Sequence, residues 1–363
     1  MSGGIKAKEN NSNKEESGRK AKSEGIFWNS FFGFCIFLAV ILIIFSCFAV
    51  RDFNNNIKKY NLSYPWPTLS EIIIPSLLIL PLIMILKLTI EYCSKGIVEH
   101  CLARKYKLPT NERFKQLGNI YRHKLARHIY KITFYTAITV YGYPVLKNLP
   151  YFPKSMLGNG SMEYMFLKGF PDSYFHERSP LFILYYNINL AYFINDLIFL
   201  FISERQSDFI NMFLHHICTI SLIIFSYITN YSNIGSLVIF CHMQTDIFLH
   251  LTRFLLQTDT NLIIIGFIGI SFTANFIYMR QFVFGKMIWI IVKYINWKWG
   301  IITTTLWLFL VILYIMHLRW SYILLYKFRE LITTKTNNGD EINYDKLLKN
   351  LEKKGKIMNR KLE

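Results

Sequence analysis

The chain has 363 residues, of which 52% are hydrophobic, 17% aromatic and only 18% charged. A formal net charge of +18 is compatible with nucleic-acid binding. Here, though, the Lys and Arg residues sit between apolar runs and at both ends, the pattern that orients a membrane protein, so no nucleic-acid partner is expected. The six cysteines (Cys35, Cys47, Cys93, Cys101, Cys218 and Cys241) form no CxxC and mostly lie in apolar runs, which points away from a disulfide framework or a zinc site and toward small buried residues.

Taken in chain order, residues 1–25 are rich in Lys, Glu, Ser, Asn and Gly and are expected to stay disordered. The first apolar run, 26–49, has no small-residue cleavage site after it and should act as an anchor. A span needs about 20 mostly apolar residues. By that measure the further candidates are 71–93, 128–146, 180–202, 210–229, 234–255, 261–290 and 300–326. The third is interrupted by Lys131 and several tyrosines; the seventh is long enough to be tilted or broken. The expected fold is therefore all-α, a polytopic transmembrane helix bundle of about eight spans.

Basic residues crowd the connection between the second and third spans, from Lys95 to Arg127, and both tails. An even span count puts all three on one side, and the positive-inside bias makes that side the cytosol. The opposite side receives the sequons at Asn61 and Asn159, weak signals in an Asn-rich chain. Most of 333–363 is expected to be disordered, and Arg360-Lys361 near its end resembles a dibasic retrieval signal of the endoplasmic reticulum.

One polar constellation stands out. His215 and His216 lie side by side about 8 Å inside the fifth span, and ionisable groups at membrane depth are costly and usually functional. The sixth span carries His242, Asp246, His250 and Arg253. The first three are spaced i, i+4, i+8, along one face. The short connection 230–233 makes the two helices antiparallel neighbours, which brings Asp246 within expected reach of the paired histidines. Consecutive helix residues point about 100° apart, so one histidine would carry the chemistry and the other support it or bind substrate. Polar packing between helices is the plainer alternative. Adjacent histidines on a helix suit one metal ion poorly, so no metal is expected.

The stretch "HHICTISLIIFSYITNYSNIGSLVIFCHMQTDIFL" resembles the Lag motif of ceramide synthases, in the TLC-domain family. The matching positions are His215, His216, Thr219, Ser226, Tyr227, Gly235 and Asp246. Flanking stretches resemble the family too: "KLARHIYKITFYTAITVYG" its first core helix, "LYYNINLAYFINDLIFLFISERQSDF" its tyrosine-led second helix, and "LWLFLVILYIMHLRW" its last, with His317 and Trp320. The resemblance covers about 120–328 as a six-helix TLC domain. It is preceded by two helices and a basic connection in 26–119 and followed by a basic tail in 329–363. Arg280 sits where the family often has an arginine, and Asn189 replaces a common Glu or Gln. Met243 replaces an Asp, one of two acidic residues usually associated with activity.

The resemblance implies a sphingosine N-acyltransferase of the endoplasmic reticulum, with both termini cytosolic, acting in sphingolipid biosynthesis. It would transfer a fatty acyl group from acyl-CoA, as co-substrate and with no cofactor, to the amine of a sphingoid base. His215 and His216 would be base or nucleophile and Asp246 their orienter; His242, Asn189, Arg205, Arg253 and Arg280 would contact substrate. Lys124, Arg127, Arg205 and Arg253 are candidates for the CoA phosphates, although each also suits a snorkelling residue. Membrane lipid and homo- or hetero-oligomers are the expected partners. The alternative is a non-catalytic TLC-domain protein that binds or senses lipids or assists other membrane proteins.

Overall fold

In the computed structural model, the described residues are those of 33–333 except 35, 38, 52–53, 56–66, 107–111, 166–177, 203–208, 259 and 295–300. The expectations for both disordered tails, the Asn61 sequon, Arg360-Lys361 and Arg205 fall outside them. The described residues are helical apart from short turns, with one isolated bridge pairing Pro153 and Gly160. The helices are α1 (Ala39–Arg51), α2 (Leu69–Cys93), α3 (Lys95–Tyr106), α4 (Glu112–Leu146), α5 (Pro180–Ile202), α6 (Phe209–Ile228), α7 (Ser232–Gln257), α8 (Leu262–Ile277), α9 (Phe284–Tyr294) and α10 (Ile301–Thr333). A π-helical segment, Tyr278–Val283, joins α8 to α9 without a break.

Among the described residues six helices are long and apolar enough to cross a membrane: α2, α5, α6, α7, the continuous α8–π–α9 rod and most of α10. This makes the chain an all-α multi-pass membrane protein, as expected, and differs from the expected spans at 128–146. Of the first run, Ala39–Arg51 is described as an apolar helix. The third candidate, 128–146, belongs to α4, a 35-residue helix that does not meet the apolar criterion. Its polar residues have a physical reason: α4 packs along α7, and Tyr130, Phe134 and Tyr135 face the interior. The long seventh run is one rod of 32 residues, about 48 Å at 1.5 Å per residue, with a π turn where a break had been an option.

The chain up to Leu318 forms one compact unit; Arg319–Glu363 is a second, whose described part is the end of α10. Within the first unit, α5, α6 and α7 form the centre. Antiparallel passage is enforced by short connections: three residues, 229–231, separate α6 from α7, where Asn230 takes a left-handed φ of 61°. Helix α2 packs on α5, with the Ser76 hydroxyl donating to the Asn187 carbonyl at 3.2 Å and the buried Lys87 ammonium 2.8 Å from the centre of the Phe199 ring. At the end where α4 and α6 finish, residues 147–165 fold over the bundle. There Tyr151 and Ser236 share a hydrogen bond of 3.0 Å and Phe152 packs edge-on to Phe240. The other end, where α5 finishes and α6 starts, carries Lys124, Arg127 and Arg253 and is called the basic end below.

Candidate active site

The centre of the bundle holds a row of imidazoles. His215 and His216 on α6 are both buried, with ring centroids 5.6 Å apart. The His215 ring stacks on that of His242 from α7 at 5.8 Å and 22°. His242 in turn meets His317 of α10, Nε2 to Nε2 at 3.1 Å, and Phe284 packs edge-on to both. The His242 Nδ1–H donates to the Val238 carbonyl one turn earlier at 2.7 Å, which fixes the ring against its helix. Phe193 of α5 places its ring edge-to-face with both His215 (6.5 Å) and His216 (6.2 Å). Among the described residues no group of three or more His, Cys, Asp or Glu has metal-holding geometry.

The contact shown for Asp246 is with Arg280, whose Nη2 donates to Oδ1 at 2.7 Å. The reason lies in the helix repeat: a step of four residues rotates by 400°, so each i+4 position is about 40° further around. His242, Asp246 and His250 therefore meet three different neighbours. His242 faces α10, Asp246 faces the π segment, and His250 reaches His128 on α4, Nδ1 to Nδ1 at 3.0 Å, while stacking on Tyr135.

Arg280 is 2% exposed, and four of its five N–H donors have partners inside the protein. Nε donates to Thr245 Oγ1 (2.8 Å), Nη1 to His317 Nε2 (3.0 Å), and Nη2 to the His242 carbonyl (3.2 Å) as well as to Asp246. These bonds clamp α7 to the π segment and to α10. π turns recur at functional sites because the extra residue re-aims a side chain, and here that side chain is Arg280. Asn189 is likewise turned inward, its Nδ2 donating to the Tyr185 carbonyl at 2.7 Å. Arg253 is exposed at the basic end. Met243 is fully buried, so no carboxylate stands at that position.

Sequence reasoning did not foresee the second buried ion pair. Lys131 of α4 lies 2.7 Å from Asp196 Oδ2 on α5. The Tyr192 hydroxyl lies 3.3 Å from the same oxygen and 2.8 Å from that of Tyr135. Opposite charges in two neighbouring apolar runs were the available signal.

Beyond the histidines toward the 147–165 end, a partly open pocket lies between α5, α6, α7, α9 and α10. Phe193, Leu222, Tyr231, Ile239 and Leu310 give it an apolar wall, and His242 also lines it. The motif residues at its far wall are structural: the Tyr186 hydroxyl donates to the Ser232 carbonyl at 2.8 Å and lies 3.4 Å from Ser226 Oγ. Gly235 makes that knot possible, because a Cβ there would lie 2.0 Å from the Tyr186 hydroxyl and 2.5 Å from Ser226 Oγ.

A multi-pass membrane bundle with a row of buried imidazoles beside an apolar pocket is the class that the fold and site define. The family model described as TLC domain matches residues 124–326, and the chain belongs to that family. It is 31% identical over 132 residues to the sphingosine N-acyltransferase lag1 of Schizosaccharomyces pombe, a match covering 36% of this chain and 33% of that protein. Similarity also extends to ceramide synthase 5 of Mus musculus (28% over 206 residues, 55% of this chain and 46% of the relative) and to ceramide synthase hyl-1 of Caenorhabditis elegans (26% over 216 residues, 56% of each). The chain thus spans about a third to just over half of these curated relatives.

Proposed function

We propose that the protein is a ceramide synthase that moves a fatty acyl group from acyl-CoA to the amine of a sphingoid base, with no cofactor. The observation that carries this reading is the apolar cavity lined in part by His242, on which His215 stacks. An acyl chain lying in the cavity presents its thioester carbonyl to that imidazole row. The names of the relatives, sphingosine N-acyltransferase and ceramide synthase, supply the substrate classes.

The reaction joins the amine nitrogen to the acyl carbon, breaks the carbon–sulfur bond, releases CoA as its thiol and sheds one proton from the incoming ammonium. A histidine takes that proton, since a neutral imidazole is a suitable base near physiological pH. His216 is assigned this role, and His215, stacked on His242, acts as nucleophile or support. CoA would enter from the basic end, with Lys124, Arg127, Arg205 and Arg253 available to its phosphates. The expected setting is the endoplasmic reticulum membrane with both termini cytosolic, as a homo- or hetero-oligomer. Met243, in place of the family's Asp, favours a second reading, lipid binding without acyl transfer. Incubating membranes that contain the protein with acyl-CoA and labelled sphingoid base separates the two: ceramide forms under the first and not under the second.

A further inference from the structure

We propose that Asp196 on α5 is a positioning residue for His216, supplying from a neighbouring helix the carboxylate that Met243 does not provide on α7. This deepens the acyl-transfer reading and rests on it. Three observations carry it. First, depth: Asp196 lies six residues before the end of α5 at Ile202, and His216 lies seven residues after the start of α6 at Phe209. Since α5 and α6 run antiparallel, both groups sit about 10 Å in from the basic end. Second, facing: Phe193, one helical turn from Asp196 on the same side of α5, packs edge-to-face with both paired histidines, so this face of α5 is the one turned to them. Asp196 and His216 are also within electrostatic range of each other.

Third, valence: Lys131 and Tyr192 both engage Asp196 through Oδ2, which leaves Oδ1 for another donor. His216 Nδ1 is buried and has no hydrogen-bond partner among the described residues. An Nδ1–H to Oδ1 hydrogen bond, which this structure does not itself make, would set the tautomer that leaves Nε2 as the base and would stabilise the imidazolium formed when the ammonium gives up its proton. Lys131, 2.7 Å from Asp196 Oδ2, supplies the opposite charge without which a carboxylate in apolar surroundings would be too costly.

The test compares Asp196→Asn, the charge-neutral double variant Lys131→Met/Asp196→Asn, and Asp196→Asn combined with Met243→Asp. Each is assayed in membranes for ceramide formation with both substrates varied. The single variant is expected to lose about 10–100-fold in kcat, part of the ~10²–10⁴ that a general base contributes, with KM for both substrates within about twofold of wild type. The double variant removes both charges together, so it keeps the fold, and it stays slow. Met243→Asp returns part of the rate. A double variant as fast as wild type makes Asp196 a mere strut for Lys131 and overturns the proposal, as does an unaffected single variant. If wild-type membranes make no ceramide, the proposed function fails instead. The positioning claim is then read from the rate at which diethyl pyrocarbonate modifies each histidine, followed by mass spectrometry. Slower modification of His216 but not His215 in Asp196→Asn supports it, and equal rates overturn it.

Discussion

Replacing Gly235 by alanine adds a single methyl group where three helices meet. That Cβ would lie 2.0 Å from the Tyr186 hydroxyl and 2.5 Å from Ser226 Oγ, against the roughly 3.5–4.0 Å of a comfortable contact. One neighbour must therefore move by more than about 1 Å. Tyr186 is fully buried and its hydroxyl is tied to the Ser232 carbonyl at 2.8 Å, so moving it breaks that bond. Overpacking typically costs about 1–3 kcal/mol, and a buried polar group left without its partner about 1–3 kcal/mol. Gly235→Ala should thus lose roughly 2–6 kcal/mol of stability, visible in detergent as a lower midpoint of thermal unfolding. Tyr186→Phe alone should cost less, and the two changes together should cost less than their separate effects added, because the phenylalanine removes the atom that the new methyl meets first. Additive losses, or a Gly235→Ala protein as stable as wild type, would refute the reasoning that this glycine exists to admit the tyrosine hydroxyl.

The Arg280–Asp246 pair should behave as a buried ion pair: Arg280→Leu alone should cost about 3–5 kcal/mol, while Arg280→Leu with Asp246→Leu should recover most of it in the same unfolding assay. Ile239→Trp, in the cavity wall, should reduce use of the longest acyl-CoA substrates more than the shorter ones, read as relative rates across a chain-length series; equal losses would place the acyl chain elsewhere. Tags at both termini should be removed when sealed microsomes are digested with protease, because the Lys and Arg bias puts both tails on the cytosolic side; protection of one tag would contradict the orientation.

The central helices were legible from apolar length. The runs 180–202, 210–229 and 234–255 became Pro180–Ile202, Phe209–Ile228 and Ser232–Gln257, because lipid demands about 20 apolar residues whatever the tertiary contacts. Helix α4 was harder: its polar residues answer to α5 and α7, as with Lys131 to Asp196 and His128 to His250, and such partners cannot be read along one run. The imidazole row was legible in part. Adjacent histidines announced themselves, and the short α6–α7 connection put His242 beside them. His317, 75 residues from His242, had no local signal beyond its place in the family's last helix. The Arg280 contact of Asp246 was not legible, because equal four-residue steps look like one face on paper, whereas the helix turns about 40° at each step. The π turn that aims Arg280 leaves the hydropathy of its run unchanged, so nothing in the apolar pattern marks it.

The most direct test of the account is ceramide formation by membranes containing the wild-type protein, His215→Ala or His216→Ala, supplied with a labelled sphingoid base and acyl-CoA of several chain lengths, per unit of accumulated protein. The account predicts that wild-type membranes form ceramide and that each alanine variant, accumulating normally, falls by about 10²-fold or more, the scale of general acid–base catalysis. Wild-type membranes that form none at any chain length, or His215→Ala and His216→Ala proteins that both work at the wild-type rate, would contradict it.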